Sequence, residues 1–511
     1  LALHVTCDAP RHFVAEPEDY VDPRRWLSLG VLLFASFMGV VDSFIVNVSA
    51  PSIERALHAS FGQIQLVIAS YTLAYGVGLV TGGRLGDIIG RKKMFQIGTA
   101  AFTATSLASA LAPNPSVLIA FRVLQGLSAA AMLPQVISLI QVSFPSRERP
   151  RAFGIFGAVN GSSAVAGQVI GGLLLRANIA NLGWRTVFLV NIPVGVLSLI
   201  VSSIVVSDRP GARGGRRPRL DIGGVALLGP AVFFVIYPLA RESSDGWSLY
   251  SSLEVVLAAA LFVSFWLYEA RAEGRIDPLV PLHLFAVRSF RNGLFARAAF
   301  SAGASTMFLC LSFYLQQGIG FSPLSSAAIF VFLGAGYVSS SLITRRLLPR
   351  FWARIMVYAG LGQIVSLTFL ALVVTMGGGR HLVLLVIALC LFGSMQGLIS
   401  TSNNPIGLHG LQPADAGAAS GVLLTTQTVF SSIGVAVIGT IYIGVVHAYG
   451  RGPFSGLARL HHYGHAFEVA LEVMIGLTLA LSAISATMPR SLKEADASSA
   501  RDARVMQKVV H

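Results

Sequence analysis

The sequence predicts an all-α integral membrane protein with fourteen transmembrane helices, two bundles of six with two additional spans between them. Three observations predict it. Apolar residues make up 54% of the 511 and charged residues only 12%, and the mean hydropathy of +0.70 is far above what a water-soluble surface carries. Stretches of about 20 mostly apolar residues, the length of one bilayer crossing, recur from Trp26 to Met488 with short polar breaks. Arg and Lys collect on alternate breaks, as they do when one set of loops stays in the cytoplasm.

The apolar windows place the first six spans at 26–48, 62–83, 94–112, 116–140, 151–175 and 185–206. Two further spans follow at 221–241 and 252–270, and a second set of six at 292–316, 323–345, 353–376, 381–402, 418–447 and 465–488. The chain thus divides into an N-terminal segment (1–25), a first bundle (26–206), linkers with two extra spans (207–291), a second bundle (292–488) and a tail (489–511). Two bundles related by pseudo-symmetry place a substrate cavity at their interface, near the bilayer midplane.

A net charge of +14 would suggest nucleic acid in a soluble protein. Here the charge is explained by loop topology, and no nucleic-acid partner is expected. Basic residues mark the loops after spans two (Arg84, Arg91, Lys92, Lys93), four (Arg147, Arg149, Arg151), six (Arg209, Arg213, Arg216, Arg217, Arg219), eight (Arg271, Arg275, Arg288) and ten (Arg345, Arg346, Arg350). Those loops and both termini are expected in the cytoplasm. The loop after span twelve carries no Arg or Lys and adds nothing to this count. The first 25 residues lack the basic start and apolar run of a signal peptide, so insertion is expected to begin with the first span. Cys7, Cys310 and Cys390 are far apart, which indicates neither a disulfide framework nor a metal site. HExxH, GxSxG and GxxxxGK are missing, so neither an intramembrane enzyme nor a nucleotide-driven pump is expected.

The strongest local pattern is Gly83-Arg-Leu-Gly-Asp-Ile-Ile-Gly-Arg-Lys-Lys93, in the turn between spans two and three. Glycines there allow close helix approach, and Asp87 can meet a helix N-terminus or a neighbouring Arg. The stretch resembles the signature loop of the major facilitator superfamily, GxLxDRxGRR, at Gly83, Leu85, Asp87, Gly90, Arg91 and Lys92. Three others resemble that family's drug:proton antiporters, above all the fourteen-span branch. They are Val41-Asp-Ser-Phe-Ile-Val-Asn-Val-Ser-Ala-Pro51 (LDxTIVNVALP), Arg122-Val-Leu-Gln-Gly126 (RxxQG) and Trp184-Arg-Thr-Val-Phe-Leu-Val-Asn-Ile-Pro-Val-Gly195 (WRxxFxxNxPxG). In span five, Gly167-Gln-Val-Ile-Gly-Gly172 departs from the antiporter pattern GPxxGG, with Gln168 in place of proline. Gly167, Gly171 and Gly172 still offer a close-packing face, and Gln168 is either a tolerated variant or a cavity-lining amide.

Asp42 is the only acidic residue well inside a span of the first bundle. An intramembrane carboxylate needs a partner or water to stay charged, so Asp42 is a candidate protonatable switch, or one half of a static pair with Arg122. Arg122 is a fixed positive charge, and the resemblance implies that it takes part in coupling. Glu468 and Glu472, one helical turn apart, are a candidate second protonation site or simply interfacial residues. Phe44, Asn47, Tyr71, Met132, Gln135, Phe156, Asn160, Gln168, Gln316, Asn403 and Gln427 suggest a large mixed cavity for amphipathic compounds, each equally able to serve as interhelical glue. The resemblance implies a multi-pass protein of the bacterial inner membrane, working as a monomer by alternating access. The expected activity is proton-driven export of lipophilic compounds, or else of a lipid or an endogenous secondary metabolite. Its partners would be the bilayer, a small-molecule substrate and protons, with no cofactor and a periplasmic adaptor left open.

Overall fold

The computed structural model describes residues 23–145, 147–207, 221–245, 248–272, 280, 282–411, 415–449, 456–489, 491 and 494. The N-terminal segment to residue 22, the Arg-rich break at 208–220, Arg275 and most of the tail lie outside the described residues. Fourteen long helices carry the described chain. The first six are α1 (Arg25–Leu57), α2 (Phe61–Ile89), α3 (Arg91–Ala110), α4 (Pro115–Ser143), α5 (Arg149–Ala177) and α6 (Gly183–Val205). Next come α7 (Ile222–Asp245) and α8 (Leu249–Ala272). The last six are α9 (Arg288–Ile319), α10 (Pro323–Phe351), α11 (Arg354–Thr375), α12 (Leu382–Gly407), α13 (Ala416–Ala448) and α14 (Gly456–Ala486).

Thirteen of the fourteen are long and apolar enough to cross a membrane on composition alone. The exception is α3, whose RKKMFQIGTAAFTATSLASA is diluted by Ser, Thr and Gly. It stands in the first bundle against α4 and α6, with Ser106 and Thr99 bonded to backbone carbonyls. Several helices outrun the apolar windows because polar flanks continue the same hydrogen-bond ladder. α1 runs through Pro51 to Leu57, and α14 starts at Gly456 rather than near 465. α2 begins at a capping box, in which Ser60 accepts from the Gln63 amide and Gln63 accepts from that of Ser60.

Helices α1–α6 pack together, as do α9–α14, and α7 lies along the outside of α2 and α13 with α8 against it. Arg241 of α7 bonds Ser251 and Glu254 of α8, which ties the extra pair into a hairpin. The two bundles do not touch evenly. At the end away from the Gly83–Lys93 turn, one apolar cluster draws on both, from Ile45, Phe61 and Phe188 to Phe313, Phe330 and Tyr442. At the turn end each bundle has a core of its own, around Leu32, Phe95 and Leu139 in one and Phe300, Met356 and Ile399 in the other.

The seam between α5 and α10 shows how the halves part. Gly172 leaves no room for a Cβ against Pro323 and Ala327, and Gly334 is filled by Val165. Further along the same stripe a Cβ on Gly161 would reach only as near as 4.0 Å to Tyr337, and Gly157 and Gly154 have nothing within 4 Å. The seam α2–α13 stays shut: Thr425 bonds the Gly76 carbonyl, Ser432 that of Ala69, and Gln65 those of Val435 and Ala436. Along α5–α10 the halves therefore part toward the turn end. In a background lacking the three native cysteines, Gly157→Cys should react with a water-soluble maleimide at least about ten-fold faster than Ala327→Cys, since access there needs no local opening. Equal rates would contradict the parted seam.

Candidate functional site: a sealed carboxylate in the first bundle

Asp42 sits midway along α1 and Arg122 in the first half of α4, and both side chains are fully buried, at 0% exposure. Arg122 Nη1 donates to Asp42 Oδ2 and to Gln125 Oε1 (2.9 Å). Gln125 Nε2 donates in turn to Asp42 Oδ1 at 3.0 Å, and Asn191 Nδ2 of α6 reaches the same oxygen at 2.7 Å. Asn191 also bonds Ser106 of α3, whose hydroxyl donates to the Phe188 carbonyl. Arg122 Nε bonds the Val67 carbonyl of α2, and its guanidinium carbon lies 4.2 Å from the Tyr71 ring centroid. The face of that ring takes up positive charge. The Tyr71 hydroxyl is itself fixed on the Gly39 carbonyl at 2.8 Å.

One carboxylate thus gathers α1, α3, α4 and α6, with α2 alongside. Three donors, one of them cationic, converge on it, which offsets the cost of a charge in a low-dielectric interior, while Arg122 Nη2 meets no acceptor among the described residues. Of the two readings of Asp42, the pair with Arg122 is the arrangement observed here. Sequence reasoning passed over Gln125, Asn191 and Ser106. Two carried a signal: Gln125 is the Gln of RVLQG, and Asn191 is the Asn of WRTVFLVNIPVG. The glycines of those patterns set distances. A Cβ on Gly126 would strike the Tyr71 backbone, and one on Gly195 the Thr103 side chain.

In the turn, Gly90 joins α2 to α3 at φ 111°, a conformation that glycine adopts without strain. Asp87 pairs with Arg91 (Oδ1 to Nη2, 3.2 Å), Arg91 reaches the Ser138 carbonyl of α4, and Lys92 that of Ser203 of α6. The close approach belongs to Gly82, against the Ala130 carbonyl, and to Gly86, against Gln135. Gly83 has ordinary room, 3.7 Å from Pro134. The sequence profile of the Major Facilitator Superfamily matches residues 32–435, from α1 into α13.

The chain belongs to the major facilitator superfamily. It is 36% identical to the probable actinorhodin transporter of Streptomyces coelicolor, over 86% of this chain and 75% of that one. It is 35% identical to a puromycin resistance protein of Streptomyces alboniger, over 93% of both. In fold it is similar to a bacterial homologue of the human lysosomal transporter Spinster, solved inward-facing and occupied, with TM-score 0.66 and 15% identity over 93% of this chain and 99% of the other. As a member of this superfamily the protein is a multi-pass membrane transporter.

Within this transporter most of the polar residues read as cavity lining are helix bridges. Gln135 donates to the Gly82 carbonyl (2.8 Å), Gln168 to that of Phe44 (3.1 Å), Asn403 to that of Gly293 (3.2 Å) and Gln316, across the bundles, to that of Val48 (2.9 Å). Asn47 bonds back to its own helix at Ser43 and Phe44. Met132 is fully buried against Gly39 and Gly98, and Tyr71 lies under Arg122. Gln168 therefore joins α5 to α1 and does not face open space, while Gly167 and Gly171 lie against α1 and Gly172 against α10. A side-chain amide finds a carbonyl wherever two helices touch, and in an apolar interior that bond outweighs exposure to a cavity.

Phe44, Phe156, Asn160 and Gln427 remain half-buried. Phe44 meets Phe308 of the other bundle edge to face, with ring centroids 5.0 Å apart. Asn160 accepts from Ser36, and Gln427 accepts from Arg297 of α9, a buried cation that sequence reading also missed. Glu468 and Glu472 do not form a site together. Glu468 faces His465 at 3.5 Å in a surface hollow with His461 and Met376, and Glu472 is exposed. Among the described residues no group of His, Cys, Asp and Glu is placed to hold a metal ion.

Breaking a buried pair on one side leaves an uncompensated charge. Arg122→Leu is expected to destabilise the solubilised protein by about 3–5 kcal/mol, and Asn191→Ala, which removes one donor of three, by about 1–3 kcal/mol. Thermal unfolding in detergent ranks them, and the reverse order would contradict a charge-centred network.

Proposed function

We propose that the protein exports amphipathic small molecules by alternating access, driven by proton entry through Asp42. The observation that carries this reading is a sealed carboxylate contacted by a fixed cation and two amides in a transporter whose halves part at one end only. Intramembrane carboxylates are costly to keep charged and serve as proton sites when their partners move. The basic loops after helices two, four, six, eight and ten support a cytoplasmic turn end, with both termini on that side. In that orientation the open interior faces inward.

A cycle follows from this geometry. In the outward-open state a proton neutralises Asp42 and weakens its hold on Arg122, Gln125 and Asn191. The bundles rock and the site opens inward. Substrate entering from the cytoplasm or inner leaflet favours loss of the proton, and the freed carboxylate is recaptured by Arg122, as in the present arrangement. The α1–α6 contacts made by Asp42 couple its charge to the packing of the whole bundle. The Asp87–Arg91 pair and the Gly82 and Gly86 contacts set how the α2–α3 turn follows.

Two breadths of substrate fit. The notion of a general multidrug exporter rests on a mixed aromatic and polar interior, with Phe44, Phe308 and Phe156 partly exposed. A dedicated exporter of one secondary metabolite is favoured by the two relatives above, named for actinorhodin and puromycin, whereas a relative from Mycobacterium tuberculosis at 30% identity is named for multidrug resistance. Everted membrane vesicles containing wild type or Asp42→Asn, energised and then collapsed with a protonophore, test both. Gradient-driven efflux of several lipophilic dyes, lost in the variant, is the expected result for a multidrug antiporter. Efflux of none points to the dedicated exporter, and undiminished active efflux by Asp42→Asn would sink the coupling role.

A further inference from the structure

The second bundle holds a buried cation without a counter-ion among the described residues. Arg297 lies nine residues into α9 and is 6% exposed. Its one hydrogen bond among the described residues runs to the Gln427 side-chain oxygen of α13, and its Nε and Nη1 meet no acceptor. No carboxylate lies within ion-pair distance of it among the described residues. The sequence leaves little to choose from: helices α9–α14 contain just two acidic residues, Glu468 and Glu472. The first faces His465, the second is exposed, and both belong to α14. Arg122, the buried cation of the first bundle, has Asp42 in contact.

The position of Arg297 matters as much as its charge. Arg297, Ser301, Ala304 and Phe308 fall at i, i+4, i+7 and i+11, one face of α9, and Phe308 touches Phe44 of the first bundle. Ser301 is 2% exposed and its hydroxyl has no partner either. Tyr337 sits where α10 faces Gly161 of α5, at the point where that seam begins to part. Three unused donors, Arg297 Nε and Nη1 and Ser301 Oγ, thus share one face of α9, the face on which Phe308 meets the first bundle. An intramembrane guanidinium is expensive unless an anion or water meets it, and its fork of N–H groups matches a carboxylate.

We propose that Arg297, with Ser301 and Gln427, binds the acidic group of the transported molecule, so that the substrates are amphipathic organic anions bearing a carboxylate or an ionised phenol. This deepens the export reading and rests on it. The first bundle then handles the proton through Asp42, and the second handles the negative charge of the cargo.

The test is equilibrium binding of a dansyl-labelled aromatic carboxylic acid and its uncharged methyl ester to nanodisc-embedded protein, with empty nanodiscs subtracted. Wild type should bind the acid roughly ten- to hundred-fold more tightly than the ester, the range of a hydrogen bond to a charged group. Arg297→Gln should erase that preference while leaving ester affinity in place, Arg297→Lys should keep part of it, and Ser301→Ala should weaken acid binding less than Arg297→Gln. Equal binding of acid and ester by wild type, binding of neither, or a preference that survives in Arg297→Gln overturns the proposal. Because binding needs no gradient, the acid-over-ester preference is read independently of proton flux. Failure of proton coupling, seen only in vesicle flux, is thereby read separately from failure of the anion site.

Discussion

A charge pair sealed from water is the constraint on which the first bundle depends. Asp42 and Arg122 are both inaccessible to solvent, and a lone ion in such surroundings costs several kcal/mol even after relaxation. Each offsets the cost of the other, together with the amides of Gln125 and Asn191 and the carbonyl of Val67. Five helices consequently have to meet at fixed spacing around one carboxylate. The small residues that permit the spacing, Gly126 against Tyr71 and Gly195 against Thr103, occur in the same short motifs as the polar ones.

On the proposed reading such a centre responds to one proton. Neutralising Asp42 removes the reason for Arg122, Gln125 and Asn191 to converge, and each belongs to a segment that also contacts a neighbour elsewhere. Gln125 and Arg122 are on α4, which holds the turn through Gln135 on Gly82 and Ser138 on Arg91. Asn191 is on α6, whose far turn receives Lys92. Charge at the middle of the bundle and geometry at its turn end are therefore linked through α4 and α6 as rigid bodies. At the opposite end the linkage runs between bundles. A π-helical turn at Tyr314–Ile319 turns Gln316 and Gln317 outward to Val48 and Glu54 of α1, a local irregularity of the kind that marks functional segments of helices.

The two bundles differ in how they treat charge. In the first a cation is neutralised internally, and in the second Arg297 has only an amide oxygen. That difference in side chains is what the proposed division of labour, a proton in one half and a ligand in the other, rests on.

The number of helices, their order and the family were legible in the sequence because hydropathy and loop charge act locally: each span is specified by its own residues, and the Gly83–Lys93 turn by its own spacing. Even α3, too polar to qualify alone, was legible from its neighbours. Asp42 and Arg122 were legible too, since an ion inside an apolar span needs a reason. The rest of the site was decided by tertiary structure. Nothing local separates Gln125, which bonds the carboxylate, from Gln135, which bonds a helix carbonyl, for both are amides on α4. Which face of a helix meets a neighbour depends on packing over distances of up to hundreds of residues, and so does the opening of one seam while another stays shut. For the same reason Arg297 looked in sequence like any Arg near a helix start, and became a buried cation only once α13 had closed over it.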